Sequence, residues 1–519
     1  MTDTASAHVS AADTPRQAVQ AGTSIRPLIT AAEMYPELER MALAARSELL
    51  LSFRIFDART LLRSPEAKDL GLETWADLLT HVAESGVKVR LLLSDFDPIF
   101  TGDLHREAWA SARIFAARLP DKAEVICAMH ECRSGSLWKW VFRGQVRSRL
   151  AEIARIPDES KTPFQHRAVR GEWDLRPVTL HQKLAVADGR KAIIGGLDVD
   201  ERRWDDLDHD QRQDQTWHDV SVLVSGPVTH EIRSHFAECW QRAMNDGGTV
   251  FSSDATPVAQ VRPVEDVPDR SPSVIRTISC RSRSTIRLGA HTMLREHEDA
   301  HLEAFARAKR SIYIETQFFR HAPLARALAA AGRREPGLQL ILFMPTEPER
   351  VIFDGHEGLD SRHAQALQIR CIDICKRAFG DRLTLVSPVQ PRPAGPGEKM
   401  PVRGARIVYV HSKVTIVDDH TAIVGSANLN GRSMRWDTEA SLMYHDPEDV
   451  GALRERLAQV WLGDQRGDDD IAQAATWRRV AQENAALSAE DRKGFLMPYP
   501  ERRNRRFARF IPILPPEMF

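Results

Sequence analysis

Two short runs carry the residue types with chemical capacity. The later one reads Val410-His411-Ser412-Lys413-Val414-Thr415-Ile416-Val417-Asp418-Asp419 and continues into Ile423-Val424-Gly425-Ser426-Ala427-Asn428. Its pattern predicts a strand, a tight turn at 418–420 and a second strand ending in small residues. Side chains alternate faces along a strand, so His411 and Lys413 project together while Asp418 has the opposite parity. An imidazole beside a fixed ammonium suits a phosphate diester: one group attacks or exchanges protons, the other holds anionic oxygens.

The pattern occurs twice. His181-Gln182-Lys183 is followed by Asp188 and then by Ile193-Ile194-Gly195-Gly196-Leu197-Asp198. Both copies read H-x-K-x4-D and, after a six-residue interval, G-[GS]-x-[ND]. One copy would be a weak signal in a chain this long; two copies with matching tails are strong. In-line cleavage of a diester through a covalent intermediate needs two proton-handling groups on opposite sides of phosphorus. Two half-sites facing each other across a pseudo-twofold supply them, which gives the duplication a physical reason.

With these motifs the sequence resembles the phospholipase D superfamily. It is similar to the larger phospholipases D in flanking words as well: Trp217-His218-Asp219, Ile312-Tyr313-Ile314-Glu315-Thr316-Gln317-Phe318-Phe319 and Asp437-Thr438-Glu439. The similarity runs over roughly residues 40 to 460 and leaves no room for an N-terminal lipid-binding or calcium-binding module. The resemblance implies that His181 attacks phosphorus to give a phosphohistidine, and that His411 protonates the leaving alcohol and then deprotonates water or an acceptor alcohol. It also implies that Asp219 and Glu439 orient the histidines, each serving the opposite half.

Lys183 and Lys413 are expected to stabilise the phosphoryl charge. Gly196, Ser426 and Asn428 are expected to let donors approach the phosphate, small residues allowing close backbone contact. Asp198 would repel phosphate and is expected to bind a lysine or orient a strand. The parity of Asp188 and Asp418 predicts that they tie down their turns rather than face substrate. The four basic groups meet the phosphate charge, so no metal or other cofactor is required.

The elements that must position these residues follow from periodicity. In the first half the pattern predicts helix 34–46, strand 48–56, helix 75–85, strand 87–93, helix 103–118 and strand 124–128. The second half repeats the order with helix 298–309, strand 311–318, helix 324–331, strand 338–343, helix 364–379 and strand 383–387. The predicted fold class is α/β: two duplicated repeats, each a mixed β-sheet flanked by helices, related by a pseudo-twofold with the active site at their interface. The expected division is a disordered tail at 1–30, a first repeat at 31–246, a linker at 247–280, a second repeat at 281–465 and a C-terminal helical segment and tail at 466–519. Residues 391–406, rich in proline and glycine, are expected to form an irregular loop.

Composition narrows the partners. With 71 basic and 72 acidic residues the formal charge is −1, so there is no global field to draw in nucleic acid. Cys127, Cys132, Cys239, Cys280, Cys371 and Cys375 contain no C-x-x-C and are expected to be reduced thiols. No signal-like or membrane-spanning segment is evident. The expected protein is a soluble monomer, cytoplasmic or exported without a signal peptide, that meets phospholipid peripherally at a membrane surface. Trp138 to Arg155 forms an aromatic and basic segment expected to be a docked helix, with membrane contact as the other reading. The arginine-rich C-terminus is expected to pack back on the domain.

The leading reading is headgroup cleavage of a glycerophospholipid, giving phosphatidic acid or a transfer product. A phosphatidyltransferase of phospholipid synthesis, a nuclease of the same superfamily and a non-catalytic scaffold are the competing readings.

Overall fold

The computed structural model describes residues 22–212, 214–260, 271–347, 358–396, 398 and 402–519. Two mixed sheets form its frame. The first contains β1 (Ser24–Ile29), β2 (Glu48–Phe53), β3 (Lys88–Ser94), β4 (Glu124–Ala128), β5 (Leu184–Ala187), β6 (Lys191–Gly195), β7 (Val220–Ser225) and β8 (Gly248–Val250). The second contains β9 (Ser273–Cys280), β10 (His291–Arg295), β11 (Ser311–Thr316), β12 (Gln339–Phe343), β13 (Leu383–Pro393), β14 (Ala405–Ile407), β15 (Lys413–Val417), β16 (Thr421–Gly425), β17 (Glu439–Tyr444) and β18 (Leu496–Pro498).

The seven strands from β1 to β4 in the first sheet follow the same order as the seven from β9 to β13 in the second. The first runs β1-β7-β6-β5-β2-β3-β4-β8, and the second β10-β9-β17-β16-β15-β11-β12-β13-β14, with β18 pairing β13. In each, three parallel strands (β2-β3-β4 and β11-β12-β13) adjoin an antiparallel block that begins with the motif strand. Helices 30–44, 75–84 and 102–118 cover the outer face of one sheet, and 296–307, 322–334 and 359–379 that of the other. The inner faces share one core, in which Leu184, Val186 and Ile194 join Val414, Ile416 and Val424, with helices 228–245 and 447–462 filling the flanks. Burial on both faces explains why the central strands read as continuous apolar runs.

The turn aspartates have a defined task. Asp188 and Asp418 adopt left-handed backbone, φ 52° and 50°, which Asp tolerates better than most residues. Their carboxylates reach the residues leading into the neighbouring strand rather than bracing their own turn. Asp418 accepts from the backbone N–H groups of Lys309, Arg310 and Ser311 at 2.7–2.8 Å. Asp188 accepts from the N–H groups of Arg46, Ser47 and Glu48 and from the Ser47 hydroxyl. Each clamps the motif hairpin to the central strand of its sheet. Asp418→Ala is expected to destabilise the fold by about 2 kcal/mol, because three donors lose a charged acceptor at once. The denaturant midpoint reads this, and an unchanged midpoint would refute the clamp.

Several expectations need correction. Residues 24–29, assigned to the tail, form an edge strand paired with β7, because Leu28 and Ile29 are buried in the cores on its two faces; residues 1–21 lie outside the described chain. Within the expected linker, 248–250 pair with β4 and 273–280 with β17, so each sheet recruits its end of that segment. The middle of the linker, 261–270, is outside the described residues. The expected loop at 391–406 is in part a hairpin: β13 runs on to Pro393 and pairs with β14, proline being tolerated at an edge. Residues 397 and 399–401 of it are not described. The six cysteines are free thiols. The C-terminal run folds back as expected, through Arg505 on Asp373, the Ile511 N–H donating to His363 and the Phe519 carbonyl accepting from Gly431.

Candidate active site

Neither motif histidine lies in a regular strand; both sit just ahead of β5 and β15, where the chain crosses to the other repeat. The crossings are reciprocal. His181 N–H donates to the Thr438 carbonyl, and His411 N–H to the His218 carbonyl. Leu180 bridges Thr438, and Val410 bridges His218. Two of the flanking words, Trp217-His218-Asp219 and Asp437-Thr438-Glu439, therefore line the opposite motif.

Side chains follow the same reciprocity. His181 Nδ1 lies 3.0 Å from Glu439 Oε2, and His411 Nδ1 lies 2.6 Å from Asp219 Oδ2. A carboxylate at that distance fixes the Nδ1 proton and leaves the Nε2 lone pair for chemistry. Lys183 and Lys413 donate to the carbonyls of His181 and His411 respectively, and Lys413 Nζ is also 2.9 Å from His411 Nδ1. Both lysines are almost fully buried, and the imidazoles retain a little exposure, 13% for His181 and 5% for His411.

Burial sets the protonation states. It holds both imidazoles well below the usual histidine range, helped first by Lys183 at His181 and by Lys413 at His411. Each imidazole also feels the lysine of the other half, and His411 feels His181, so the four groups share one electrostatic site. Burial pushes the carboxyl of Asp219 up to about 7 and that of Glu439 up to about 8, against the pull of Lys413 and Lys183. Lys413 is brought down to about 7 by burial, against the pull of Asp219. Burial thus disfavours the charged form of both imidazoles, both lysines and both orienting carboxyls. A bound anion reverses that preference for the four basic groups.

The expected phosphate-binding residues divide. Gly196 touches an orienting carboxylate: a Cβ there would stand 2.2 Å from Asp219 Oδ1. Ser426 hydroxyl donates to Glu439, so it positions the acid that holds His181. The Asn428 side-chain amide donates to Gln317 at 3.3 Å, and its Oδ1 is buried without a hydrogen-bond partner. Ser426 and Gly196 thus each lie against a carboxylate that holds a motif histidine. Asp198 accepts from the Ile55 N–H at 2.9 Å, and its second oxygen is 3.9 Å from Lys183 Nζ. It both orients a strand end and faces a lysine.

Sequence reading assigned no role to several residues beneath the second motif. Buried Glu315 accepts from Ser412 at 2.6 Å and from the Trp461 indole at 2.7 Å, with His218 Nε2 at 3.3 Å. Trp217 packs on His411 with ring centroids 4.7 Å apart, and the Arg203 guanidinium lies 3.7 Å over the same indole. A signal was present for Glu315: an acid inside the buried strand Ser311–Thr316 must have a buried partner. Nothing comparable marked Arg203. Among the described residues, no group of three or more His, Cys, Asp or Glu side chains is arranged to hold a metal ion.

A family model described as "Cardiolipin synthase, PLD-like domain" matches residues 302–461. Phospholipase D alpha 2 of Oryza sativa subsp. japonica is 24% identical over 486 residues, covering 74% of this chain and 56% of the relative. Phospholipase D1 of Mus musculus is 25% identical over 280 residues, covering 46% of this chain and 24% of the relative. The chain belongs to the phospholipase D superfamily. It spans only part of the length of these superfamily relatives. Among solved structures, phosphatidylserine synthase of Haemophilus influenzae Rd KW20 overlays with a TM-score of 0.50 at 13% identity, over 84% of this chain and 86% of that one. That likeness is one of fold, and it agrees with two helix-flanked mixed sheets as the superfamily scaffold. As in the sequence reading, no helix among the described residues is long and apolar enough to cross a membrane.

Proposed function

We propose that this chain is a phospholipase D-type phosphodiesterase that cleaves the headgroup ester of a glycerophospholipid. The supporting observation is the crossed pairing, in which each repeat supplies a histidine and lysine and the other repeat supplies the carboxylate that orients that histidine. His181 Nε2 attacks phosphorus, and the bond from phosphorus to the headgroup oxygen breaks. His411 gives that oxygen its proton, leaving a phosphatidyl-histidine. His411 then takes a proton from water, which attacks phosphorus, and the products are phosphatidic acid and free His181. General acid–base help of this kind contributes about 10²–10⁴-fold. Lys183 and Lys413 supply charge stabilisation from buried positions, where it acts more strongly than in bulk water.

Transfer to an alcohol in place of water is the second reading. It is favoured by the family model, whose description names cardiolipin synthase. Incubation with mixed phospholipids plus a primary alcohol tests both. Phosphatidic acid with some phosphatidyl-alcohol supports the hydrolase, and phosphatidyl-alcohol alone supports the transferase. Release of neither from any phospholipid would sink the proposal.

The pH profile follows from Lys413. Its ammonium holds the phosphate only when protonated, and with a value of about 7 it loses its proton as pH rises through neutrality. kcat/KM, which reports the free protein, is expected to fall above about pH 7. A bound anion restores the proton, so kcat should persist to higher pH. Coincident alkaline limbs in the two profiles would contradict this.

A further inference from the structure

We infer that the segment 133–143, together with the loop 281–287, is the surface by which the protein docks on an anionic phospholipid bilayer; this rests on the proposed phospholipid substrate. Helix 136–141 is short, and its own residues are not buried. Leu137 is 44% exposed, Trp140 61% and, across from them, Ile286 68%. Val141 and Phe100 extend the same apolar face, Phe100 through its contact with Phe142 at 6.2 Å between ring centroids. These side chains stand together because the loop is pinned to the helix: the Leu137 N–H donates to the Thr285 carbonyl, and the Trp138 indole to that of Ile286. Exposed aromatic and aliphatic groups gathered on one face mark an interaction site.

Charge identifies the partner. Residues 133–155 hold six basic residues and one acidic, and 281–287 hold three basic residues and none acidic, in a chain of net charge −1. Between the two segments lies a cleft of about 700 Å³ lined by Arg133, Lys139, Arg281 and Arg283. Its acids are already engaged, Asp174 by Lys139 at 2.5 Å and Glu131 by Arg242 at 2.7 Å. Arg281 and Arg283 have no ion pair among the described residues. Ser134 lines the same cleft, is 5% exposed and has a hydroxyl without a partner. A basic cleft with a spare hydroxyl, rimmed by Trp and Leu, fits lipid headgroup phosphates with the apolar rim in the acyl boundary.

The surface is coupled to the active site by packing. Trp138 and Phe142 rest on a cluster containing Val178 and Trp436, each three residues ahead of a site residue, His181 and Glu439. Gly289, beyond the loop, lies against Trp436 so closely that a Cβ would reach 2.4 Å from the indole.

The test uses the full chain carrying His411→Ala, so that lipid is not consumed, and vesicles of phosphatidylcholine alone or mixed equally with phosphatidylglycerol. Each basic residue beside an anionic bilayer strengthens partitioning about fivefold. Arg281→Glu with Arg283→Glu is expected to weaken binding to the mixed vesicles at least about tenfold, and Trp140→Ser about tenfold. With His411 restored, the same changes should lower turnover of vesicle lipid and spare that of a monomeric short-chain phospholipid. Binding that ignores the substitutions, or that does not distinguish the two vesicles, would overturn the surface. So would equal loss of turnover on vesicle and monomeric lipid, or a self-associated chain that Trp140→Ser dissociates while vesicle binding is untouched. Substitution-dependent vesicle binding by a wild-type chain that cleaves no phospholipid would refute the proposed activity and leave the surface standing.

Discussion

Replacing His181 or His411 with Ala is expected to lower turnover by at least about 10⁴-fold, with the thermal midpoint nearly unchanged. Each imidazole is held through Nδ1 by a carboxylate of the opposite repeat and keeps some exposure, 13% for His181 and 5% for His411. Their removal therefore strips the chemistry without opening a large cavity. The two variants should differ in what accumulates. With His411→Asn no group deprotonates water, so the phosphatidyl group should remain on His181, visible in the intact mass. His181→Ala should form no adduct. Substantial turnover by both variants would refute a shared site, and an adduct mapping to His411 would reverse the assigned roles.

Gly196→Ala is expected to cost about 10²-fold in kcat, the scale for displacing a catalytic group by about 1 Å. Its Cβ would stand 2.2 Å from Asp219 Oδ1 and 2.9 Å from Cγ. The carboxylate cannot simply swing aside. Oδ1 accepts from the Val220 N–H at 2.9 Å, and Oδ2 holds His411 at 2.6 Å. The strain passes to the imidazole, so the acid–base step should suffer more than substrate binding. A variant with normal kcat and raised KM would instead make Gly196 a phosphate-contact residue, as the sequence reading had it.

Much of this was legible before folding. His181, Lys183, His411 and Lys413 could be picked out because their type and spacing recur with matching tails, and a repeated short pattern needs no tertiary information to be seen. The parity argument put Asp188 and Asp418 off the chemical face, and the structure gives them backbone N–H partners. Strand and helix order in both halves followed from periodicity, since sheets buried on both faces leave continuous apolar runs. Boundaries were less readable. The edge strand at 24–29 and the hairpin of β13 with β14 were read as tail and loop because edge strands carry weak patterns and tolerate proline.

The sequence by itself singled out the two histidine–lysine pairs and the α/β scaffold that carries them, because both are written in local spacing. Tertiary structure alone decided at what distance each carboxylate faces its histidine, and that Ser426 and Gly196 lie against those carboxylates. It also brought helix 136–141 and the loop 281–287 into one surface although some 140 residues separate them. The reason is physical: partnership across a sheet interface depends on how two distant strands pack, and no periodicity along the chain records that.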